Sequence, residues 1–145
     1  MKIALRLAPL LTGIVLCFSL MPASAKRLAL VIGNDNYQSV SKLQKAGNYA
    51  VAMASGLSSA GFEVGLYRDL NYREMVKATE ELYNKVQGGD EVVVFFAGHG
   101  VQIKSGNYLL PVDIDPSTET MVEKTSYSLN DMNEGWSPPG LRSAW

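Results

Sequence analysis

Cysteine is almost missing from this chain: Cys17 is the only one among 145 residues, and it lies near the start. No disulfide framework can form. Charge of one sign is missing too, since 13 Lys and Arg stand against 14 Asp and Glu. Without a basic stripe, nucleic acid is not an expected partner. No apolar run reaches the length of a membrane span. No internal repeat is visible, and low-complexity sequence is confined to the last dozen or so residues. The length suits one domain, and 47% hydrophobic residues support a packed core.

The first segment has the order of a cleavable leader. Lys2 and Arg6 precede an apolar run from Leu10 to Met21, broken by Thr12, Gly13 and Ser19, and Ala23-Ser24-Ala25 forms an A-x-A site. Cleavage after Ala25 predicts a secreted or periplasmic product with no membrane contact; the alternative is a retained anchor helix. Cys17 lies inside the apolar run with Phe18 behind it, so it reads as part of the leader and not as a lipid-attachment site. The formal charge of −1 becomes two units more negative once Lys2 and Arg6 leave.

What the chain does have is Asp90–Gly100, DEVVVFFAGHG. Val92 to Phe96 form an unbroken run of strand formers, which predicts a strand buried on both faces of a parallel sheet. His99, the only histidine, follows that strand between Gly98 and Gly100. The C-terminal edge of an open α/β sheet is where ligands bind.

The rest alternates. Arg27–Asn34 reads as a first strand, followed by Asp35–Ser39 as a plain polar loop; a phosphate loop there would need a Lys-Ser/Thr pair or a third glycine. Asn48 is the expected cap of a helix with Ala50, Met53, Ala54 and Leu57 on one face, closed by Gly61. Phe62–Tyr67 reads as a second strand. Asn71 and Glu74 have capping-box spacing before a helix burying Met75, Thr79, Leu82 and Val86, which stops at Gly88-Gly89. After His99, Val101–Ile103 and Tyr108–Leu110 flank a Gly-containing turn as a β-hairpin. Asp113 and Asp115 lack further oxygen ligands and read as a solvated loop, so no metal or cofactor is expected. Ser126–Met132 begins one more helix with Ser128 as a possible cap. From Asn133 to Trp145 no period remains. The order β-α-β-α-β predicts an α/β fold with a mostly parallel sheet, helices on both faces and an added hairpin.

These residues resemble the caspase-like cysteine peptidases, most closely the bacterial members. The resemblance runs from about Arg27 to Met132 and rests on Leu28–Asn34, Ala46–Ala50, Gly61-Phe62, Phe95–Gly100 and Asn107–Asp113. It implies a three-layer caspase-like sandwich, present here in part, and a peptide or protein as substrate or partner. In that family a histidine activates a cysteine thiol, and the N–H of the glycine after it helps to form the oxyanion hole. By that resemblance His99 is the acid/base residue and Gly100 an oxyanion donor. The nucleophile is expected about 50 residues past His99, beyond Trp145. Neither Ser126 nor Ser137 stands at the end of a strand where it would replace the thiol. Tyr49 replaces an aspartate that in many bacterial relatives walls the pocket for a basic side chain. The expectation is therefore a caspase-like chain that keeps its histidine and ends before its cysteine, inactive as written. The alternatives are a non-catalytic binding module and a truncated product without function, and a frame change near Met132 would account for the tail. Without the cysteine-bearing strand, Val92–Phe96 is expected to be a sheet edge through which the chain self-associates.

Overall fold

The computed structural model describes residues 25–135. Residues 1–24, where a leader is expected, and the proline-containing stretch from Trp136 lie outside them.

Three parallel strands form the central layer: β1 (Arg27–Gly33), β2 (Glu63–Arg68) and β3 (Glu91–Ala97), in the order β2-β1-β3. Strand β1 alternates between two apolar faces. Leu28, Leu30 and Ile32 pack against Met75, Ala78 and Leu82 of α2 (Tyr72–Tyr83), while Val31 packs against Ala50 and Ala54 of α1 (Ala46–Ser59). The helices therefore cover opposite faces, giving three layers. The chain leaves β1 toward β2 through α1, then crosses to β3 through α2, so the strand order reverses beside β1. That reversal opens a crevice at the C-terminal ends of β1 and β3.

The strand buried on both faces is β1, not β3. Residues 28–33 are all buried, whereas Val92–Phe96 are half-buried. Strand β1 has a neighbour on each side, and among the described residues the sheet ends at β3. An apolar run reports that a strand is covered above and below, but not whether a second strand lies beside it.

Helix α2 starts where the sequence places it. Asn71 accepts from the Glu74 N–H and Glu74 accepts from the Asn71 N–H, a complete capping box. It ends at Tyr83, earlier than Gly88-Gly89 suggested, in a tight turn through Val86. Helix α1 starts two residues before Asn48, which is an exposed residue of its first turn and not its cap. Met53 is 38% exposed and not on the packed face. Gly47, Ala50 and Ala54 leave only a narrow stripe of α1 against the sheet.

The predicted hairpin is β4 (Gly100–Ile103) paired with β5 (Gly106–Leu109), with Gly106 at φ 145°. A short β6 (Tyr127–Ser128) joins β5 to make a second, antiparallel sheet. Between them lies α3 (Glu119–Thr125), absent from the sequence expectations, capped by Thr118, whose hydroxyl accepts from the Met121 N–H. Helix α4 (Leu129–Gly135) follows β6, with Ser128 accepting from the Asp131 N–H as its cap, and continues to Gly135 where an irregular tail was expected from Asn133.

Candidate active site

His99 stands at the strand-order reversal, one residue beyond Gly98 at the end of β3. It is half-buried and held at two points by one loop, residues 34–43. Its backbone N–H donates to Tyr37 Oη at 2.8 Å, and its Nε2 lies 2.8 Å from the Ser41 carbonyl oxygen. A carbonyl oxygen only accepts, so Nε2 carries the proton. In the neutral imidazole the lone pair is then on Nδ1. One nitrogen is held and the other is available as a base.

Gly100 follows His99 as the first residue of β4. The Leu110 N–H donates to the His99 carbonyl at 2.9 Å, which makes that pair hydrogen-bonded in the ladder of β4 and β5. Pairs alternate in an antiparallel ladder, so Gly100 opposite Leu109 belongs to a non-hydrogen-bonded pair. Its N–H turns away from β5. The residue is exposed, and a Cβ there would meet only the Tyr108 carbonyl, at 3.5 Å. Gly98 is different. A Cβ at Gly98 would lie 2.6 Å from both Phe96 Cζ and Tyr37 Oη, so only glycine lets the chain pass this close to Tyr37.

The loop that carries Tyr37 and Ser41 is built from its polar residues. Asn34 is fully buried. Its Oδ1 accepts from the Leu70 N–H at 2.9 Å, and its Nδ2 donates to the Leu70 and Leu110 carbonyls at 3.4 and 3.3 Å. Asp35 caps α1 from outside the helix, its two carboxylate oxygens accepting from the Ala46 and Gly47 N–H groups at 2.8 Å each. Tyr37 packs with Leu110 and Ile114 in a small core of its own. What reads in sequence as a plain loop is therefore the support of the site. The signal was present in Asp35, a capping residue eleven positions before the helix it caps, but no local pattern connects the two.

Asp69 braces the same loop from β2. It adopts φ 54°, a left-handed conformation that Asp tolerates better than most residues. Its carboxylate accepts from the Asp35 and Asn36 N–H groups and from the Asn36 side chain. Burial works against its charge, but those hydrogen bonds outweigh it and hold the carboxyl below its ordinary value of 3.8. The stabilisation is present above that value and lost as pH falls through the lower folded one. The thermal midpoint should therefore fall on acidification below about pH 4, and Asp69→Asn should flatten that fall when melts are followed by circular dichroism.

The carboxylates of Asp113 and Asp115 accept from backbone N–H groups. Asp113 accepts from the Tyr72 N–H at the start of α2, and Asp115 from the Ser117 N–H. Tyr49 stands 59% exposed on α1.

The sequence pattern of the family described as the caspase domain matches residues 26–133, more than half of the chain. The chain belongs to the caspase-domain family. Caspase-like peptidase ancestry agrees with the arrangement just described: a three-layer α/β fold with the histidine at the strand-order reversal. The human mucosa-associated lymphoid tissue lymphoma translocation protein 1 is 29% identical over 92 residues, covering 63% of this chain and 11% of that protein. Its mouse homolog is 28% identical over 92 residues, with the same coverage. This caspase-domain chain thus spans about a tenth of the length of the curated relatives it matches.

Proposed function

We propose that this chain is a caspase-like module that keeps the acid/base and oxyanion positions of a thiol peptidase, His99 and Gly100, and binds a peptide or protein there without cleaving it. The observation that carries the proposal is the His99 contact to Ser41, whose carbonyl accepts from Nε2–H and so favours the tautomer with its lone pair on Nδ1. A base and a donor oriented in this way suit attack on a peptide carbonyl. In a thiol peptidase a thiolate attacks that carbonyl, and residues 26–145 include no cysteine. The described edge of β3 lies next to His99, and a strand added there, from a second copy or a partner, would complete the sheet and is where a thiol would enter. The leader predicts that this binding takes place outside the cytoplasm, after cleavage at Ala25.

The test uses the mature protein with fluorogenic peptides ending in Arg, Lys or Asp, alongside His99→Ala. No turnover above the His99→Ala background is expected, together with peptide-dependent shifts of the His99 ring signals. Turnover that depends on His99 would establish the enzyme instead. Absence of both turnover and binding would sink the binding module.

A further inference from the structure

We propose that Tyr37 is the positioning residue of His99, its hydroxyl inserted into the β-ladder so that the imidazole is held against Ser41. His99 and Leu110 stand opposite one another in continuation of the β4–β5 register. A hydrogen-bonded antiparallel pair exchanges two bonds. Here Leu110 N–H to the His99 carbonyl is made directly, at 2.9 Å. The reciprocal bond is relayed. The His99 N–H donates to Tyr37 Oη at 2.8 Å, and that hydroxyl donates to the Leu110 carbonyl at 3.1 Å. One side-chain hydroxyl does what a bridging water does in a wet interface.

The relay has a geometric consequence. It holds the His99 N–H one hydroxyl away from the Leu110 carbonyl, on the side of the 34–43 loop, where the Ser41 carbonyl receives Nε2–H. The Tyr37 ring lies against the imidazole, with centroids 4.7 Å apart and planes tilted by 54°. Tyr37 is itself immobilised, at 1% exposure. Burial raises its phenol above the ordinary value of 10, although the bond from the His99 N–H works the other way, so the hydroxyl keeps its proton and can donate at neutral pH. Gly98 leaves the space in which the hydroxyl sits. The catalytic meaning of the arrangement rests on the proposed function, but the arrangement itself is read on the imidazole, whatever the chain does to peptides.

With a single histidine, the ring nitrogens give an unambiguous readout. Their ¹⁵N shifts in the neutral form should show Nε2 protonated and Nδ1 bare in the wild type. Tyr37→Phe keeps the aromatic ring and removes only the hydroxyl. The His99 N–H should then close directly onto the Leu110 carbonyl, Nε2 should leave Ser41, and the neutral ring should become a mixture of tautomers. A folded Tyr37→Phe protein with the wild-type tautomer overturns the proposal. Leu82→Ala loses core packing away from the site and should leave the ring shifts unchanged; if it moves them equally, the assignment to the hydroxyl fails. If Tyr37→Phe does not fold, the wild type decides. Its Tyr37 hydroxyl proton should exchange slowly and show an Overhauser contact to the His99 amide, and a fast-exchanging hydroxyl without that contact refutes the relay. Loss of peptide binding with the tautomer intact would count against the proposed function and leave the relay standing.

Discussion

Asn34→Ala should lower the free energy of unfolding by about 3 kcal/mol, a large part of a typical domain's stability. Asn34 is fully buried at the point where the end of β1, the β2–α2 connection and the segment after the hairpin meet. Truncation leaves the Leu70 N–H without its acceptor in a dry site, at a cost of about 1–3 kcal/mol. The Leu70 and Leu110 carbonyls keep other donors, the Val112 N–H and the Tyr37 hydroxyl. The remainder comes from the space left by the amide. Urea unfolding monitored by circular dichroism measures the change, with the exposed Asn36→Ala as comparison. A loss below about 1 kcal/mol would mean that the amide is not the cross-link described here.

Gly33→Val should cost a similar amount, about 3 kcal/mol, through overpacking. A Cβ at Gly33 would lie 2.7 Å from Ala50 Cβ, 2.8 Å from the Ala46 carbonyl oxygen and 2.9 Å from Gly47 Cα. Two of these are backbone atoms of α1, so the whole helix must move from the sheet. Faster hydrogen exchange along α1 should accompany the loss. Gly56 makes the contrast: a Cβ there meets nothing within 4 Å, and Gly56→Ala should stabilise the helix by about 0.5–1 kcal/mol. Opposite signs for two glycines thirty residues apart or less would locate the effect in helix-to-sheet contact and not in glycine as such.

The elements themselves were legible because their signals are local. Leu28–Gly33, Asn71 with Glu74, and the hairpin around Gly106 each carry their cue within a few neighbours. The position of His99 followed from the end of the Val92–Phe96 run. Helix α3 was missed because its polar residues carry little apolar period and none of its residues is buried, leaving only the cap at Thr118. Asn48 reads as the cap because it is the capping residue type nearest the apolar period, whereas the loop folds back to bring Asp35 to the helix end.

The β-α-β-α-β order, the hairpin after it and the place of His99 at the end of a strand were legible in the sequence alone, since apolar period and glycine placement act within one element. Which strand is central, which loop supports the site and which ring nitrogen holds the proton were decided only in the folded chain. Tyr37 and Ser41 reach His99 across 62 and 58 residues. Such bonds form only after the strands have paired and water has left the site, and no run of neighbouring residues records them.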